Sequence, residues 1–240
     1  CASRSDEVYS GTGPLDYQEN SDSPHDVDTV YQGAPTLYRS VDGGKTMQPV
    51  RNGTVHSDYH AVVFDPSDPD YLMVGTDGGV YESFDEAENW KFFANMPITQ
   101  FYKVTVDYDE PFYNIYGGTQ DNNTQGGPSR TDNVHGIRNS DWYGTVFADG
   151  HQSAADPTHP DIIYSEWQQG NLVRWDRKTG EIVYIQPQPE ADEESERFNW
   201  DAPILISPHD SSRLYFASQR VWRSDNRGDS WTAISGDLSH

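Results

Sequence analysis

Apolar positions in this chain fall in short runs rich in Val, Ile, Tyr and Phe, each bounded by Asp, Pro, Gly, Asn or Ser. No segment sustains the apolar period of an amphipathic helix, so the pattern predicts strands and turns. The runs also repeat. HAVVFDPSDPDYLMVGTDGGVYESFDEAENW spans 60–90, HQSAADPTHPDIIYSEWQQGNLVRWDRKTGEIVYI spans 151–185, and APILISPHDSSRLYFASQRVWRSDNRGDSW spans 202–231. A diverged copy, QFYKVTVDYDEPFYNIYGGTQDN, starts at Gln100. The matching turn residues Asp65, Asp107, Asp156 and Ser207 are spaced by 42, 49 and 51 residues. Four strands of about five residues with their turns need roughly 40–50 residues, the length of one propeller blade.

The expected fold is therefore all-β: a β-propeller of four-stranded antiparallel blades, about five in this chain and part of a larger propeller. Blades are expected near 26–52, 58–96, 100–146, 149–188 and 200–236, after a polar, irregular segment over 1–25. The first blade's inner strand is expected near Glu7–Ser10 or missing, and Pro189–Arg197 is expected as an acidic loop or short helix.

The turn after the third strand has its own pattern: SVDGGKTM from Ser40, SFDEAENW from Ser83 and SDNRGDSW from Ser224. In such a turn Asp42, Asp85 or Asn226 can accept turn N–H groups, and Gly44 and Gly228 can take positive φ. Thr46 or Ser230 can tie the turn to the next strand, while Trp90 and Trp231 can fill the gap between blades. These turns resemble the Asp-box, S-x-D-x-G-x-[ST]-W, with Met47, Ala87 and Asn226 as departures. From about Val27 onward the chain resembles the bacterial BNR-repeat proteins labelled glycosyl hydrolase and related to the sortilin-type propeller. The stretches that carry this are VGTDGGVYES, MPITQFYKVTVD, YGGTQDNNTQGGPSRT, HGIRNSDW and FNWDAPILISPH. The resemblance implies a multi-bladed extracytoplasmic propeller in a longer chain: secreted, periplasmic or cell-surface. The hydrolase label does not by itself establish a reaction, because a fold is not a function.

Composition narrows the partners. The chain has 240 residues, 39 acidic against 16 basic, and a net charge of −23, so nucleic acid and anionic membrane surfaces are disfavoured. Asp outnumbers Glu 27 to 12, which suits turns over helices, and the low Lys content fits a saline, extracytoplasmic setting. Mean hydropathy is −0.85, yet 13% of residues are aromatic and supply the burial a folded core needs. No apolar run reaches membrane-spanning length. Cys1 is the single cysteine, so no intrachain disulfide forms; it is either a fragment boundary or the site of a lipid anchor.

Polar residues at strand ends are the candidate chemistry. Asp77, before Gly78 and Gly79, sits in TDGGVYES, which is similar to the T-D-x-G-G-x-Y-R string around a catalytic Asp of xyloglucanase-type double propellers. It lacks the residue between Asp and Gly-Gly and has Glu82 for Arg, and D-G is also an ordinary hairpin turn. Asp121 occupies the matching place in the next blade, so Asp77 and Asp121 are the candidate catalytic carboxylates. Gln120, Asn122, Asp141, Trp142, Asp149, His151, Trp200 and Asp201 are the candidate ligand-binding residues. Sialidase chemistry is disfavoured: Arg130 and Arg138 lie near each other but no F-R-I-P-like segment appears, and the charge repels an anionic sugar. A strand through His56, Asp58 and His60 would place all three on one face, at metal-ligand spacing, although turn hydrogen bonding is the commoner use; no metal is assigned. No cofactor is expected beyond weak Ca²⁺ binding by acidic loops such as 65–70. Three functions stay open. The first is a binding or scaffold module presenting loops to a protein or glycan. The second is an inverting glycoside hydrolase acting through a carboxylate pair on a neutral polysaccharide. The third is a structural subunit of a cell-surface assembly, with other blades or subunits completing the propeller.

Overall fold

The computed structural model describes residues 20–51, 53–96, 98–189, 191 and 193–239. They form five four-stranded antiparallel sheets, each a meander in chain order, and a single turn of 3₁₀ helix over Asn139–Asp141. These are propeller blades. The contacts divide the chain into two units, residues 1–98 and 99–240.

The first unit holds two blades. One is β1 (Asn20–Asp22), β2 (Val30–Gln32), β3 (Tyr38–Ser40) and β4 (Gln48–Pro49). The other is β5 (Tyr59–Asp65), β6 (Asp68–Thr76), β7 (Gly79–Ser83) and β8 (Lys91–Phe92). Its core packs Tyr31, Leu37, Tyr59, Leu72, Val74 and Tyr81, with Trp90 against the edge. β1 lies within the segment expected to be irregular; its three residues, Asn-Ser-Asp, carry no apolar signal, and only pairing with β2 makes it a strand. Glu7–Ser10 falls outside the described residues.

The second unit holds three blades. The first is β9 (Phe101–Val106), β10 (Asn114–Thr119), β11 (Thr124–Pro128) and β12 (Tyr143–Val146). The second is β13 (Gly150–Ala155), β14 (Ile162–Trp167), β15 (Asn171–Asp176) and β16 (Ile182–Tyr184). The third is β17 (Ile204–Ser207), β18 (Asp210–Ala217), β19 (Val221–Ser224) and β20 (Thr232–Ala233). β13 packs against both β9 and β17, so the first strands lie side by side on the inner side. The described part of Pro189–Arg197 is loop.

A meander gives each blade two edges. The lower edge carries the turns from first to second and third to fourth strand; the upper edge carries the second-to-third hairpins and the entry into the next blade. On the lower edge, the three S-x-[DN] turns share one hydrogen-bond pattern. The Ser hydroxyls of Ser40, Ser83 and Ser224 each donate to the acid or amide two residues on, at 2.8, 2.9 and 2.9 Å. Each also accepts the N–H four residues on, from Gly44, Ala87 and Gly228. Asp42, Asp85 and Asn226 then accept from Thr46, Asn89 and Ser230. Gly44 and Gly228 have positive φ, and Ala87 is forced to +73°. Trp231 donates its indole N–H to the Ile185 carbonyl of the preceding blade at 2.6 Å, filling the gap between the last two blades.

The same edge is tied by charge. Arg177 pairs with Asp109 and Asp161 at 2.6 and 3.0 Å, and Arg227 reaches back to buried Asp156 at 2.9 Å. Each Arg reaches the blade before its own. Among the described residues no helix is long and apolar enough to cross a membrane.

Candidate functional site

The upper edge of the three-blade unit has a different character. Four non-glycine residues there hold left-handed backbone: Asp121, Asn123, Ala148 and Gln169, with φ of 56°, 70°, 64° and 65°. Such conformations cost of order 1 kcal/mol each, and concentrate where function needs them. Gly118 lets the chains close up, since a β-carbon there would fall 2.2 Å from the His151 carbonyl oxygen.

Asp149 is the hub. Its side chain is almost fully buried; Oδ1 accepts the Asp121 N–H at 2.8 Å and Oδ2 accepts the Trp200 indole N–H at 3.0 Å. Its own N–H donates to the Gln168 side chain at 3.0 Å. Burial, and then the neighbouring Asp121 carboxyl, hold Asp149 above the usual carboxylate range. Trp200 keeps about half of its surface in solvent, so an indole face stands beside this acid.

One strand deeper lies a second cluster. Lys103, on β9, forms a 2.7 Å ion pair with Asp201, just ahead of β17. His151, on β13, is buried and stacks on Tyr102 with the rings 5.0 Å apart and nearly parallel. Neither of its ring nitrogens has a hydrogen-bond partner among the described residues. Burial pushes its pKa down, opposed by Asp201 and Asp149, so the ring is neutral at pH 7. Glu166, on β14, is fully buried and neither carboxyl oxygen has a partner of good geometry. Burial, reinforced by the charge of Asp201, pushes it up to about 9, and it is therefore protonated at neutral pH.

The structure thus brings Asp121, Asp149 and Trp200 into one hydrogen-bonded group, with His151 and Asp201 joined electrostatically to the deeper cluster. Gln120 and Asn122 lie in the β10–β11 hairpin with Asp121, where the Asn122 amide donates to the Gln120 carbonyl. Asp141 and Trp142 are held elsewhere. Asp141 accepts the Arg138 N–H at the 3₁₀ turn, and the Trp142 ring covers Gly127. Asp77, in the first unit, forms the β6–β7 turn and bonds the His60 ring at 2.5 Å. The one-face reading of His56, Asp58 and His60 is corrected: β5 begins at Tyr59, and the left-handed Asp58 breaks the alternation before it. Lys103, Tyr102, Glu166 and Gln168 were not among the expected residues. The one sequence signal was Glu166 itself, a carboxylate inside the strand run IIYSEW.

No family model and no curated protein matches this sequence. Solved structures similar to it include the GH74 xyloglucanase from Xanthomonas campestris, at 15% identity and a TM-score of 0.40. The GH74 enzyme from Niastella koreensis matches at 15% and 0.39, and an ancestral GH74 enzyme at 13% and 0.38. They cover 93%, 91% and 92% of this chain, which in turn spans only 39%, 38% and 32% of theirs.

Proposed function

We propose that the upper edge of this propeller handles a glycan, and that the chain is part of an extracytoplasmic glycoside hydrolase with Asp149 as the proton donor. The supporting observation is the Asp149 carboxyl itself. It is held protonated more readily than an ordinary Asp by burial and by Asp121, beside an exposed indole on which a sugar ring can lie. A carboxylic acid poised this way can protonate a glycosidic oxygen; Asp121, in hydrogen-bond contact with Asp149, is too close to act across a sugar ring, which leaves the Lys103-paired Asp201 as the carboxylate that can activate water. The Asp-box turns then act as structural staples of the lower edge, as in BNR-repeat propellers.

A second reading keeps the glycan and drops the reaction. Trp200 offers a platform that needs no catalysis, and a module that only binds would use it in the same way. Release of reducing ends from neutral polysaccharides separates the two. The hydrolase reading expects turnover that falls at least about 100-fold in Asp149→Asn, the order of a lost general acid. Binding without turnover in the unaltered protein refutes the hydrolase reading and leaves the binding module.

A further inference from the structure

A groove of about 390 Å³ opens on this upper edge, between the β14–β15 hairpin and the loop that leads from β16 to β17. Its wall is tied to the segment that carries the indole platform, because the Gln169 N–H donates to the Trp200 carbonyl at 3.1 Å. Its lining is unusual for a chain with net charge −23: side-chain amides predominate, from Gln169, Asn171, Gln186 and Gln188. The two charged residues at its border are already neutralised. Glu196 accepts the Arg220 Nε–H at 2.8 Å, and Arg197 pairs with Asp237 at 2.5 Å.

The wall is held by its own hydrogen bonds. The Gln186 amide donates to the carbonyls of Gln169 and Gly170 at 3.0 and 2.7 Å, and the Tyr184 hydroxyl donates to Asn171 at 3.0 Å. Phe198 gives an apolar surface, packed on Phe216 and pressed so close to Gly170 that a β-carbon there would lie 2.5 Å from its ring. Other polar groups are left to meet a ligand. Among the described residues the Gln169 side chain has no hydrogen-bond partner, and the Gln188 carbonyl oxygen accepts none.

We infer that this groove is a binding subsite for an uncharged, hydroxyl-rich sugar. Amides supply donor and acceptor side by side, which suits hydroxyls that are both, and they offer neither an anion nor a cation the counter-charge it needs to leave water. The aromatic and proline surfaces meet the C–H faces of the ring, and the volume falls in the range of small-ligand sites. The contrast is another groove of this unit, about 580 Å³, bordered by Arg174, Asp176, Glu181, Asp225, Arg227 and Asp229, where charge predominates.

The inference names the ligand class of the proposed function and rests on its glycan reading, but needs no catalysis. It is tested by calorimetric titration of the full chain with gluco-oligosaccharides, cationic glucosamine oligomers and anionic galacturonate oligomers. Neutral oligomers are expected to bind, and the charged ones at least about tenfold more weakly. Gln188→Ala, at an exposed position, and Asn171→Asp, which puts a negative charge in the groove, are each expected to weaken neutral binding about tenfold. Far-UV circular dichroism and melting curves of both variants establish that they fold. Equal binding of all three oligomer classes, no binding of the neutral ones, or neutral binding unchanged in folded variants overturns the subsite. In Asp149→Asn, retained binding with lost turnover supports both readings. Retained binding in a protein that never releases reducing ends refutes the hydrolase reading alone.

Discussion

Glu166 gives the sharpest test of the site's electrostatics. Its carboxyl sits at about 9 in the fold against an ordinary 4.5, so at neutral pH the folded protein holds a proton that the unfolded chain has released. Raising the pH therefore favours unfolding, and the stability that the bound proton lends is lost progressively until the folded carboxyl itself ionises near 9. The clean window is pH 7 to 8.5. It lies above the titration of His151, whose lowered pKa costs stability only as the pH falls below about its ordinary 6.5. At 1.36 kcal/mol per pH unit for one proton, the window corresponds to a loss of about 2 kcal/mol. Glu166→Gln keeps the shape and removes the proton. Urea unfolding followed by tryptophan fluorescence is expected to show the unaltered protein losing about 2 kcal/mol across the window relative to the variant. Parallel pH dependences would mean that Glu166 is already ionised in the fold, and the picture of a buried, protonated acid beneath the site would be wrong.

Other expectations follow from single contacts. Gly228→Ala places a β-carbon at φ +91° and 2.5 Å from Ile185, and is expected to lower unfolding free energy by about 2 kcal/mol or more in urea melts. Ala87→Gly relieves a left-handed alanine but gives up a buried methyl, terms of about 1 kcal/mol each, so its midpoint should hardly move. Trp231→Ala removes the indole between the last two blades and its bond to Ile185, at about 3 kcal/mol, read as a lower melting temperature. The Thr46 N–H and hydroxyl, with Ser40, draw Asp42 down to about 2, so it contributes stability above its ordinary 3.8 that is lost as the pH falls toward 2. Asp42→Asn should flatten the acid limb of the melting curve between pH 4 and 2.5.

What was legible in the sequence was local. A Ser-x-Asp turn is a pattern over a few residues whose hydrogen bonds close within it, and Ser40–Asp42–Thr46 folds as its spacing dictates. Blade spacing was legible for the same reason, as strands and turns recur in order. Asp121, Asp149 and Trp200 are candidates because polar residues at strand ends stand out in the pattern, and the structure brings the three into one hydrogen-bonded group. Glu166 and Lys103 were not, because they lie inside strands, and their partners stand in other blades. Asp201 is 35 residues from Glu166 and 98 from Lys103. Asp141 and Trp142 stand apart from that group because the long β11–β12 connection turns them back onto their own blade, where Gly127 leaves room for the indole. β1 was missed because a strand of Asn-Ser-Asp is defined by its partner alone.

The two edges of the three-blade unit differ in how completely their polar groups are paired, and that difference supports the proposed site better than any single residue. On the lower edge the buried acids are bonded: Asp107 to Asn114 and Tyr116, Asp156 to Thr158 and Arg227. There burial is offset by hydrogen bonds and charge, and Asp156 is held below its usual range. On the upper edge the balance is reversed. Asp149 and Glu166 are both driven upward by burial, the His151 ring nitrogens have no hydrogen-bond partner among the described residues, and the backbone around them is left-handed at four non-glycine positions. Similar residue types, placed at opposite ends of the same strands, are settled at one end and unsettled at the other. A fold selected for stability alone has no reason to leave the second end so; an edge that must meet a ligand does.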